Sequence, residues 1–159
     1  MDRSEFNRKM DELLTEAEQL VPTENIPDLP ARSGTPEVPD WHAFELALWS
    51  KGEEIRQLLL ECRKKPDQVQ LDRIAELCTN PHARRGRQSF VLLLGKKSCA
   101  SYAPQIAGLL GDEEVAGQAI DTLCKMGTAD YLQQIKPFTE HHRTWIRNLA
   151  KKYVHKYSG

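Results

Sequence analysis

Long apolar runs are missing from this chain. Its longest unbroken stretch of apolar residues is Phe90–Leu94, far short of the roughly 18–20 residues that a membrane span requires. The opening residues, MDRSEFNRKMDELL, are charged throughout and lack the apolar core of a secretory signal. No CxxC pair occurs; Cys62, Cys78, Cys99 and Cys124 stand singly, as small buried apolar groups do in a reducing compartment. Also missing are a GxSxG elbow, a phosphate loop, an HExxH pair and a glycine-rich dinucleotide turn. Together these absences point to a cytoplasmic protein with no cofactor and no preformed catalytic cleft.

One-sided net charge is missing as well, but the near balance hides an asymmetry. Residues 1–81 hold 10 Lys/Arg against 17 Asp/Glu, whereas residues 82–159 hold 12 against 6. An acidic front and a basic back either attract each other or leave the basic half for an anionic partner.

What the chain does contain is an internal repeat. Leu71–Lys96, Tyr102–Thr128 and Tyr131–Ser158 each read as an apolar helix, a tight polar turn and a second apolar helix. The step of roughly thirty residues lies in the range of helical solenoids, which hold partners along a surface. Ahead of the repeat, residues 41–66 read as two helices. One is capped by Asp40, and a second starts near Gly52 on the Ser50/Glu53 capping-box spacing. Residues 22–40 hold five of the nine prolines and read as a linker, because proline removes backbone donors and favours extended neighbours. Residues 1–21 carry an amphipathic stripe of Phe6, Met10, Leu13, Leu14, Ala17, Leu20 and Val21. A lone helix of that length is marginal in water, so the stripe must dock on this protein or on a partner. The division is thus an N-terminal helix (1–21), a Pro-rich linker (22–40) and a repeat domain (41–159).

The stretches YAPQIAGLLGDEEVAGQAIDTLCKMG and LDRIAELCTNPHARRGRQSFVLLLGK resemble HEAT repeats. The pattern's first helix ends in Leu109–Leu110, its turn carries Asp112, and its second helix carries Val115, Ala119 and Leu123 before Gly127. The flanking units depart from it, with Gly86 and Phe90 in one and no terminal glycine before Ser158 in the other. The resemblance implies an all-α, short right-handed solenoid of antiparallel helix pairs, preceded by a tethered helix, with the second helices lining a concave face. It implies no common active site. The Phe90–Leu94 run fits a helix buried on several sides.

Charge then suggests what the surface holds. Arg84, Arg85 and Arg87 fall early in a helix, where cations oppose the macrodipole at a cost of some tenths of a kcal/mol each. Arg143, Arg147, Lys151 and His155 recur at every fourth residue, and such like-charged neighbours repel by roughly 0.2–0.5 kcal/mol per pair. If both clusters line one groove, an acidic protein surface would relieve them, and binding would weaken with salt. The candidate contacts are accordingly Arg84, Arg85, Arg87, Arg143, Arg147 and Lys151. Neutralisation of the arginines by the acidic front half is the competing reading. Nucleic acid is the alternative ligand. Some HEAT-like proteins are bilin lyases and others are glycosylases for alkylated DNA bases; Asp121 and Trp145 are of the residue types the latter reaction needs. Cys78/His82 and His141–His142 have ligand-like local spacing, but the two pairs lie some sixty residues apart, unlike the close pairs of structural zinc sites.

Overall fold

The computed structural model describes residues 1–31 and 39–159. Within them the protein is all-α, with eight α-helices, three 3₁₀ segments and no strand beyond a single bridge between Ala31 and Pro39. The chain divides into two compact units, Met1–Phe90 and Val91–Gly159. None of the described helices is long and apolar enough to cross a membrane.

In the first unit, α1 spans Arg3–Leu20. Asp2 caps it by accepting a hydrogen bond from the Glu5 amide at 2.7 Å. Phe6, Met10, Leu14 and Ala17 are fully buried, and α1 packs against α2 (Ala43–Cys62) and α3 (Gln68–Thr79). The amphipathic stripe thus docks on this chain itself. Arg73 of α3 reinforces the contact, donating to both carboxylate oxygens of Glu18 (3.0 and 2.6 Å) and to the Thr15 hydroxyl (3.1 Å) on α1. The adjoining Glu18 carboxylate raises the Arg73 pKa above its ordinary value.

The two helices expected between Trp41 and Pro66 are one helix, α2, twenty residues long and begun at His42 instead of Asp40. Leu48, Ile55 and Leu59 form a continuous buried stripe, and that burial overrides the local Ser50/Glu53 signal. Gly52 sits mid-helix because a Cβ there would lie 2.0 Å from Ser89 Oγ. That Ser89 hydroxyl donates to the Trp49 carbonyl at 2.8 Å. After α3, Asn80 caps a turn opened by Pro81, as its sequence implies. The expected helix through Gly86 to Leu94 is broken. A 3₁₀ segment, Pro81–Arg87, is interrupted at Arg84 (φ 52°, ψ −139°), and only Gln88–Leu93 (α4) is α-helical.

The second unit runs through a 3₁₀ segment (Lys97–Tyr102), α5 (Ala103–Ala107), α6 (Ala116–Met126), α7 (Leu132–Ile135), a 3₁₀ segment (Lys136–Glu140) and α8 (Thr144–Tyr157). The first helix of each expected pair is short. Pro104 lies in the opening turn of α5, and Pro137 denies the last turn after α7 a backbone donor. The second helices, α6 and α8, are longer and pack on each other. Their core comprises Ala119, Ile120, Leu123, Ile146, Ala150 and Tyr153, all nearly or fully buried. α6 ends at Gly127 in the left-handed conformation (φ 78°), as expected of its terminal glycine. The Tyr153 hydroxyl donates to the Thr128 carbonyl (2.5 Å) and accepts from the Tyr131 amide (3.3 Å). Burial raises its pKa above the ordinary phenol value. Of the Phe90–Leu94 run, Phe90, Val91 and Leu94 are fully buried, but Leu92 is exposed.

Candidate interaction surface

The two basic clusters named from the sequence are placed very differently. Arg84, Arg85 and Arg87 are buried, Arg87 to 1% exposure. The common partner of Arg84 and Arg85 in the first unit is Glu45, a fully buried carboxylate on α2. One Glu45 oxygen accepts from the His42 amide at 3.0 Å and lies 3.8 Å from Arg84 Nε. The other accepts from both the amide and Nε of Arg85, at 3.1 and 3.2 Å. Arg87 Nε donates to the Arg84 carbonyl at 2.7 Å. Burying a carboxylate costs several kcal/mol unless charge and hydrogen bonds compensate it, and here both do.

The same arginines fasten the Pro-rich segment. Arg84 donates to the Ile26 carbonyl at 2.9 Å and pairs with Asp28. Arg85 donates to the carbonyls of Pro39 (2.8 Å) and Asp40 (2.7 Å), and its guanidinium covers the Trp41 ring at 5.0 Å. His42 Nε2 meets the Pro27 carbonyl at 2.8 Å, and the Asp40 amide donates to the Pro30 carbonyl at 3.2 Å. The described parts of the expected 22–40 linker are therefore held by named bonds; residues 32–38 lie outside the described residues. Arg84 adopts positive φ to serve this arrangement, a conformation that costs a non-glycine residue about 1–3 kcal/mol. The acidic front half neutralises Arg84 and Arg85 from within. Arg84, Arg85 and Arg87 therefore offer no contact surface, and the single groove expected to gather both clusters loses its first half.

The α8 cluster faces outward. Arg143, Lys151, Lys152 and His155 are exposed, and Arg147 is half-buried. Arg147 is committed locally, donating to the His141 carbonyl (2.8 Å) and the Thr144 hydroxyl (3.1 Å). Among the described residues, no carboxylate pairs with Arg143, Lys151, Lys152 or His155. At 100° per residue, Lys151, Lys152 and His155 share one face with Asn148 and Trp145. Trp145, named from the sequence as a residue type suited to the glycosylase alternative, is 45% exposed. It lies against Gly117 of α6, where an added Cβ would stand 2.2 Å from the indole. Lys152 was not among the candidate contacts named from the sequence, and Trp145 was not joined to the basic cluster there.

At the start of α8, His141 and His142 stack at 4.4 Å, and Phe138 stacks on His141 at 6.0 Å. His141 Nδ1 accepts from the Arg143 amide at 3.0 Å. Burial, then the neighbouring His142 and Arg143, holds the His141 pKa below the ordinary imidazole value. Asp121 pairs with Lys125 one turn on, at 3.3 Å. Cys78 is fully buried, and desolvation pushes its thiol pKa far up. Among the described residues no three His, Cys, Asp or Glu side chains are grouped to hold a metal.

No family model, no curated protein and no solved structure matches the chain.

Proposed function

We propose that this protein is a non-catalytic helical interaction module, of HEAT-like repeat type, that binds an acidic protein surface through the outward face of α8. The observation that carries this reading is the cluster of Lys151, Lys152 and His155 beside the exposed Trp145, with no carboxylate among the described residues to neutralise it. Unpaired cations around a half-exposed aromatic make a surface suited to carboxylates, since the indole supplies apolar contact and the lysines supply charge. The alternation of short α5 and α7 with longer α6 and α8 in the second unit supports the repeat reading. Arg143 and Arg147 flank the face and are its second rank.

The second reading, nucleic acid, draws on the same Trp145, because an exposed indole can stack on a base while lysines meet phosphates. One titration separates them. A labelled oligo-glutamate peptide and a labelled single-stranded oligonucleotide are each added at about 50 mM salt, where screening is modest. Binding of the peptide, lost in Lys151→Glu/Lys152→Glu, is the expected result. Binding of the oligonucleotide in its place would shift the conclusion to the second reading, and binding of neither overturns both.

A further inference from the structure

We propose that the acidic surface held by α8 is a groove on a second copy of this same chain, so that the protein associates head to tail with itself. This rests on the reading of α8 given above and names its partner.

The groove lies between α1 and α2 and has a volume of about 370 Å³. Leu13 and Leu58 form its apolar floor, and Glu12, Glu16, Glu54 and Glu61 stand around it. Lys51 bridges Glu16 and Glu54 on one side, at 2.5 and 3.4 Å, and the Glu16 carboxylate raises the pKa of that lysine. Glu12 pairs with Arg8 at 2.8 Å, Glu61 accepts from the neutral Gln57 amide at 2.9 Å, and Lys9 is the one cation among the residues that line the groove.

Chemistry and spacing match α8. The groove is apolar along its base and acidic at its edges; α8 presents an indole with lysines alongside. Trp145 and Lys152 are seven residues apart, as are Glu54 and Glu61, which places both pairs about 10 Å apart along their helices. The two surfaces belong to different units of the chain, one net acidic and the other net basic. Residues 1–90 hold 13 Lys/Arg against 17 Asp/Glu, and residues 91–159 hold 9 against 6. Burial of Arg84, Arg85 and Arg87 leaves the outside of the first unit more acidic than its composition suggests. A contact between unlike surfaces on two copies is heterologous, so copies add through the same pairing.

The test is sedimentation velocity at about 50 and 500 mM salt, bracketing weak and strong screening. The wild-type chain should show a weight-average mass that rises with concentration at low salt and returns to the monomer at high salt. Lys151→Glu/Lys152→Glu alone and Glu12→Lys/Glu61→Lys alone should each remain monomeric. The four-substitution chain carrying both reversals should associate again, because the charges are exchanged and still complementary. All four positions are exposed, so helical circular dichroism should be unchanged in every variant. A wild-type chain that stays monomeric at low salt overturns the proposal. So does a four-substitution chain that keeps its helix content and fails to associate. If oligo-glutamate still binds α8 of the wild-type chain in either case, the reading of α8 stands and only the identity of the partner falls.

Discussion

Glu45 shows how one side chain can organise a region. It is the only acidic residue among the described residues that is fully buried. It accepts from two backbone amides and one guanidinium. Glu45→Gln keeps the shape and removes the charge, leaving Arg84 and Arg85 facing a neutral amide. Breaking a buried pair from one side typically costs about 3–5 kcal/mol. Urea denaturation should show a lower midpoint of that order, and a loss within about 0.5 kcal/mol would mean that solvent reaches the pair. The thiols test burial at the same scale. Cys78, Cys99 and Cys124 are buried, whereas Cys62 is half-buried beside the Met1 sulfur at 3.5 Å. A thiol-specific chromogenic reagent should therefore modify one cysteine quickly in the folded protein and the other three only on unfolding. Cys62→Ser should remove the fast phase. Glu45 was not singled out in the sequence, where nothing sets it apart from sixteen other acidic residues in positions 1–90. Its role depends on contacts forty residues away.

Among the elements, α8 repays attention at its start. Arg143 precedes the helix with no side-chain cap, and the His141 imidazole takes up the Arg143 amide instead. That acceptor role requires an unprotonated Nδ1. The folded-state pKa of His141 lies below the ordinary value of 6.5. A group depressed in the folded state contributes stability above its unfolded pKa and loses it as pH falls through the folded value. Thermal unfolding at pH 7 and at pH 5 should therefore show a smaller acid-side loss for His141→Asn than for wild type, since an amide oxygen can accept at any pH. An equal loss in both would place the sensitive group elsewhere. Most helices were legible from periodicity, and the Asn80–Pro81 start and the terminal Gly127 from their residue types. The single long α2 and the break at Arg84 were not, because burial of Leu48 and the pull of Glu45 override local signals.

For the molecule as a whole, charge distribution is the feature that sequence and structure share and use differently. The sequence separates an acidic front from a basic back. The structure then takes three arginines out of the solvent-facing total by pairing or bonding them inside the first unit. What remains outside is an acidic groove on α1 and α2 and a basic face on α8. Any association through these surfaces should weaken steeply with salt, because exposed charges are screened over about 10 Å at 0.1 M.

The sequence by itself determined the helical class and the positions of most helices. Those properties follow from periodicity and from residues near one another in the chain. Only the tertiary structure decided which basic cluster faces solvent. Arg87 donates to the Arg84 carbonyl, and Arg84 and Arg85 turn inward because a carboxylate on α2 and carbonyls of the Pro-rich segment meet them there. Those partners lie some forty to sixty residues away, beyond the reach of any local pattern.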